Sequence, residues 1–167
     1  MRALLHVAAI AAALAIQTTL ASQLPETAQL DLVLILVVYV ALTAGPTTGV
    51  VVGTVAGLIQ DALSSGVMGI GALAKTLVGF AAGRLGTQFI VTAALPRFLV
   101  FLGASLLHAA LFMGLYTVLG LRSFEAPYGA VAGQAVGNAV VGVVAFQLIE
   151  ALPGIRARRR LRARVRR

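Results

Sequence analysis

Residues 45–63 read GPTTGVVVGTVAGLIQDAL, and the fold turns on this stretch. Gly45, Gly49, Gly53 and Gly57 recur every four residues, and Asp61 continues the spacing. On a helix of 3.6 residues per turn each step advances the row by about 40°, so it winds slowly over one side as an inclined groove. Pro46 suits a first helical turn, with Thr43 or Gly45 near the N-cap. The hydrophobic effect does not drive helices together in lipid. Close backbone approach through small residues does more of that work, and a glycine row on an apolar helix supplies it.

The rest of the chain fits a lipid-facing exterior. Of its 167 residues, 60% are hydrophobic and 11% charged, against about 25% charged for a soluble domain. Eight arginines crowd into residues 156–167, which leaves ten charges for the preceding 155 residues. That is too few to coat a water-soluble globule. The net charge of +8 comes from this terminal run beside apolar segments, which suits an anionic membrane surface and not nucleic acid.

A helix crosses the bilayer core with roughly 20 apolar residues. Six spans are expected, at about residues 3–20, 28–44, 46–62, 67–85, 97–119 and 127–152, followed by a basic tail over 155–167. The predicted fold class is therefore an all-α integral membrane protein, a compact bundle of six transmembrane helices forming one domain, 1–154. Gly45-Pro46 separates the second span from the third, Pro96 opens the fifth, and Pro153-Gly154 stops the sixth. Lysines and arginines of short loops orient such a bundle. Arg2, Arg84, Arg97 and the eight tail arginines fall on one side and Arg122 on the other, which predicts both termini in the cytoplasm. A competing reading makes the first span a secretory signal cleaved near Thr19-Leu20-Ala21, although its apolar run is longer than a signal core needs.

Other spans repeat the small-residue theme through Gly79 and Gly83, through Gly129, Gly133 and Gly137, and through alanine pairs in the first span. The glycine groove either packs helices of this chain or receives a helix from another protein. Charges at depth are costly, so Lys75, well inside the fourth span, needs a partner or a wet route. Asp61, at the end of the preceding span, is the expected partner, directly or through water; otherwise Lys75 reaches the headgroups. His108 and Asn138 are expected to hydrogen-bond internally or to line a cavity. Glu150 is expected to meet headgroup water or an arginine, and Asp31 and Glu26 to lie on the outer rim. The arginine tail reads as an anchor on anionic lipid, or else as a dock for an acidic partner.

Catalytic chemistry finds no foothold. No nucleophile, base and oxyanion donors stand at useful spacing, and no carboxylates form a facing pair. Cysteine is absent, and His6 and His108 have no ligand partners at metal-site spacing. A Gly-rich loop followed by Lys-Ser/Thr is also missing. The reading is a non-enzyme without cofactor or metal.

The run from Gly45 to Asp61, continued by GVMGIGALAKTLVGF over residues 66–80, resembles the third-helix signature and following segment of the rod shape-determining protein MreD family. Length, span count and basic C-terminus are similar too. The resemblance is sharp from Gly45 to about Gly86. It implies a scaffold or regulatory subunit, in the bacterial inner membrane, of the machinery that elongates the lateral peptidoglycan wall. The implied partners are an MreC-like single-span protein and, through it, MreB, RodA and a class B penicillin-binding protein. The implied fold is similar to the six-helix substrate-binding components of energy-coupling-factor transporters. Gly45, Gly49, Gly53, Gly57, Asp61 and Lys75 match the motif; with Gly79 and Gly83 they are the candidate packing or partner-contact residues.

That fold likeness supplies the rival reading, a vitamin- or metal-binding transporter component. Against it, the outer loops offer few aromatic, Asn or acidic side chains to converge on a ligand. A channel or ion carrier using Asp61 and Lys75 is a third reading, which proteoliposome flux would expose.

Overall fold

The run LVLILVVYVALTA, Leu32–Ala44, is apolar on every side, and such a helix belongs in a protein interior or a membrane. It is the axis of the bundle. The computed structural model describes residues 2–21, 30–64, 66–89, 93–121 and 128–151. These form α1 (Arg2–Ala21), α2 (Leu32–Ala44), α3 (Pro46–Leu63), α4 (Ile70–Gln88), α5 (Ala94–Val118) and α6 (Tyr128–Ala151). Helix accounts for 90% of the described residues, and there is no strand among them. By length and composition, α5 and α6 can each cross a membrane; His6–Thr19 and Leu32–Ala44 are shorter apolar stretches. Glu26, Arg122 and the arginine tail lie outside the described residues.

All five other helices pack against α2. Val33, Val37, Val38 and Ala41 have no exposed surface. One side of α2 meets Ile10 and Leu14 of α1 and Val52 and Ala56 of α3. The other meets Val78 and Ala82 of α4, Phe101 and Ala104 of α5, and Ala139 and Phe146 of α6.

Gly45 alone joins α2 to α3. Its φ of 94° is a left-handed value, which glycine adopts without steric cost. Gly45 N–H closes α2 by donating to the Ala41 carbonyl at 2.9 Å, and the Gly45 carbonyl accepts from Gly49 N–H at 3.0 Å to open α3. Pro46 fills the first position of α3 as the sequence predicts. A second positive-φ glycine, Gly69, caps α4, so this helix starts three residues after the expected boundary and runs on to Gln88. Likewise α5 begins at Ala94, with Pro96 inside its first turn, where the missing N–H has no intrahelical partner to lose.

The register of α2 departs most from expectation. Its thirteen residues cover only about 20 Å at 1.5 Å per residue, less than the ~30 Å of a bilayer core. Asp31, which caps it, lies level with Asn138, ten residues into α6, and with Lys75, five residues into α4. The N-terminus of α2 therefore lies some 15 Å below the start of α6.

Candidate functional site

The recessed start of α2 carries the polar centre of the protein. Asp31 uses its two carboxylate oxygens separately. Oδ1 accepts from Leu34 N–H at 2.8 Å and so caps the helix, the usual service of Asp before a first turn. Oδ2 lies 2.8 Å from Nζ of Lys75, and both side chains are almost wholly buried. The positive end of the α2 dipole favours a carboxylate at this position as well.

Three further side chains extend the network onto α5 and α6. Lys75 Nζ also lies 3.1 Å from Nε2 of His108; an ammonium only donates, so the imidazole nitrogen accepts. The backbone N–H of Asp31 donates to Asn138 Oδ1 at 2.9 Å. Asn138 Nδ2 donates to Ser105 Oγ at 3.1 Å. Lys75, Asp31, Asn138 and Ser105 are buried, and His108 is half-buried. A lone charge at such depth costs about 2.5–3.5 kcal/mol on insertion scales. Here each charge faces its opposite and the neutral groups are hydrogen-bonded, so one cluster binds α2, α4, α5 and α6 into a single register.

Two sequence expectations are corrected. Lys75 pairs with Asp31 and not with Asp61, and Asp31 belongs to the interior and not to the outer rim. Asp61 caps the next helix: its Oδ2 accepts from Gly69 N–H at 2.8 Å and from Ala72 N–H at 3.1 Å. Asp61 lies level with Ala72, three residues short of Lys75 along α4, whereas α2 supplies a carboxylate at the depth of Lys75. The sequence holds a signal for this. Between Asp31 and Gly45-Pro46 stand thirteen residues, all apolar but Thr43, too few to cross a bilayer, and Asp31 occupies the N-cap position. A short helix ending at one face must begin inside.

The predicted glycine row forms the seam between α3 and α4. Its register is antiparallel, and a Cβ at any of three positions would strike α4 backbone: Gly49 against Gly79, Gly53 against the Lys75 carbonyl, and Gly57 against Ala72. Gly83 closes on Pro46 in the same way. A helix of another protein would have to displace α4 to reach this row, and Gly45 belongs to the turn. Thr54 and Thr76 face each other across the seam with Oγ1 atoms 2.8 Å apart. Because Lys75 follows from the seam at Gly53 and from the network at Asp31, the two features meet at one residue.

Sequence reasoning placed His108 and Asn138 as internal hydrogen-bonding residues, and the structure has both in that role. It missed Ser105 and the aromatic line His108–Phe112–Tyr116 on α5, with ring centroids 5.9 Å and 4.8 Å apart. At its end the Tyr116 hydroxyl accepts from Val67 N–H at 2.9 Å, tying α5 to the α3–α4 turn. Toward the opposite end of α5 Arg97 lies 2.7 Å from Glu150, the second of the two contacts, headgroup water or an arginine, expected of that carboxylate. The guanidinium stacks 4.1 Å over the Phe146 ring, which in turn meets Tyr39 of α2 edge-on at 5.0 Å. Among the described residues no group of three or more His, Asp or Glu is placed to hold a metal ion.

Comparison with curated proteins and with solved structures gives no match. The family model for rod shape-determining protein MreD matches residues 2–152, nearly the whole chain. The match includes all six helices, the glycine seam and every member of the polar network, and the chain belongs to the MreD family.

Proposed function

We propose that this protein is a non-enzymatic scaffold subunit of the inner membrane, acting in lateral peptidoglycan elongation together with an MreC-like single-span protein. The observation that carries this reading is the family match over residues 2–152, a family of rod shape determination. The chemistry of the bundle supports it. The polar side chains of the network hydrogen-bond to one another across helices, which is an arrangement for holding helices in place and not for turnover. The outward faces of α3, α4 and α6 carry exposed Val55, Leu58, Leu77, Phe80, Val140 and Leu148, a surface suited to lipid or to another apolar helix.

In this reading both termini are cytoplasmic, and the recessed end of α2 points toward the periplasmic side. The arginine tail rests on anionic lipid. MreB, RodA and a class B penicillin-binding protein are reached indirectly, through the single-span partner. The bundle is of the same general type as the substrate-binding components of energy-coupling-factor transporters, without their ligand.

Depletion in rod-shaped cells, with a plasmid copy as rescue, tests the reading. Cells are expected to round up while vitamin uptake is unchanged, and the tagged protein is expected to co-purify with a single-span partner. Normal rods after depletion, or a vitamin bound tightly by the purified protein, would remove this assignment.

A further inference from the structure

Each of the six helices brings a polar side chain to one layer of the bundle. Ala41 of α2 faces Gly49 of α3, and the two helices run antiparallel, so Gln60, eleven residues on, comes level with the start of α2. Val52 and Ala56 pack on α2, and Gln60 continues their four-residue stripe. α1 contributes Gln17, whose Oε1 accepts from Val33 N–H at 3.2 Å. Lys75, His108 and Asn138 bring α4, α5 and α6 to the same level around Asp31. His108 lies fourteen residues into α5 and ten short of its end, so the layer is about 15 Å or more from either end of that helix.

Two members of the layer keep unused hydrogen-bonding capacity. Gln60 Oε1 is buried and has no partner. His108 Nε2 accepts from the Lys75 ammonium, so the neutral ring carries its hydrogen on Nδ1. Among the described residues nothing accepts from Nδ1. Unmet polar groups away from water are costly. The two needs are opposite, an acceptor short of a donor and a donor short of an acceptor. A cation would serve only Gln60 and would meet Lys75; an anion would serve only His108 and would meet Asp31. Water serves both.

We propose that this layer is hydrated: ordered water on the bundle axis, beyond the start of α2, donates to Gln60 Oε1 and accepts from His108 Nδ1–H. The helix faces supply the route. On the inner stripe of α5, Phe101, Ala104 and Ser105 are buried, whereas Phe112 and Leu115, past His108 toward the α3–α4 turn, are half-buried. On α6, Asn138 and Ala135 are buried, Val131 is half-buried and Tyr128 is 79% exposed. Cover over both inner stripes thins beyond the layer, on the side where water enters. Water at this depth also eases the presence of Asp31 and Lys75 as ions. This hydration is independent of the cell-shape assignment, since it rests on unpaired atoms and helix register alone.

The chain has two histidines, His6 and His108. Nitrogen-15 histidine labelling of the full-length protein in liposomes therefore gives two ring systems, which His6→Gln assigns. Solid-state NMR is expected to find His108 protonated at Nδ1 and bare at Nε2. Water-edited transfer is expected to reach its ring several-fold faster than its own backbone amide, which lies inside α5. A hydrogen on Nε2, or a ring as slow as the amide, overturns the proposal. Gln60→Met tests the other atom. An acceptor served by water loses a hydrogen bond in this variant, so its melting temperature is expected to fall by a few degrees. An unchanged or raised melting temperature, the result for an acceptor that had been dry, overturns the proposal as well. The NMR measurement alters nothing in the layer and decides the matter alone if Gln60→Met does not fold.

Discussion

Oδ2 of Asp31 and Nζ of Lys75 stand 2.8 Å apart in the interior of the bundle, and this pair ties the start of the central helix to the middle of α4. Removing one partner of a buried ion pair costs about 3–5 kcal/mol, whereas replacing both by apolar groups is often neutral. Lys75→Met and Asp31→Ala should each lower the unfolding transition strongly, Asp31→Ala the more because the α2 cap is lost too. Lys75→Met combined with Asp31→Ala should recover the part of the loss owed to the stranded charge, the missing cap remaining. Thermal unfolding in mild detergent, arranged as a double-mutant cycle, measures the coupling; additive losses would mean that the two charges do not interact.

Asp61 works on a different helix end. Losing a side-chain cap costs about 0.5–2 kcal/mol, so Asp61→Ala should be destabilising, with Asp61→Asn milder because an amide oxygen still accepts. Exchanging the residues, Asp61→Lys with Lys75→Asp, should give a protein worse than either single variant. Recovery by the exchanged form would restore the Asp61–Lys75 pair that the structure disallows.

The seam at Gly53 has no space for a side chain, since its Cβ would strike the Lys75 carbonyl. Overpacking typically costs about 1–3 kcal/mol, so Gly53→Val should lower the melting temperature by several degrees. Gly103 on α5 has nothing within 4 Å of its Cβ position, and Gly103→Ala should be neutral or slightly stabilising through helix propensity. Equal melting temperatures for the two variants would show that α3 and α4 can separate at no cost.

Arg97 and Glu150 should respond unequally. The guanidinium is 5% exposed and the carboxylate 23%, and only the arginine stacks on Phe146. Arg97→Ala loses the ion pair, the stacking and the stem packing together, and should cost more than Glu150→Gln, which leaves a neutral hydrogen-bond acceptor. Denaturant titration of both variants in one detergent ranks them, and the reverse order would remove the stacking from the account.

Much of the architecture could be read along the chain, because helix number in an apolar protein follows from run length and from punctuation. Gly45-Pro46 marks a turn whatever surrounds it, since glycine alone reaches φ of 94° freely and proline cannot sit far into a helix. The four-residue glycine spacing likewise required a close-packed face. Which helix fills that face was not legible: the same row accepts a partner from this chain or from another, and only the antiparallel return of α4 fills it.

The pairing of charges was decided by tertiary structure for a similar reason. Sequence proximity favoured Asp61 for Lys75, since only a short turn separates their helices. Yet a residue's depth depends on where its helix starts relative to all the others. That offset is set by packing: Leu30 lies against Gly137, and the Asp31 N–H bonds to Asn138, contacts with residues more than a hundred positions away. Composition and spacing settled that this chain folds as apolar helices with a glycine-lined groove, because those follow from local geometry and the shortage of charge. The recess of α2, which brings Asp31 down to Lys75, His108 and Asn138, exists only once six helices are assembled.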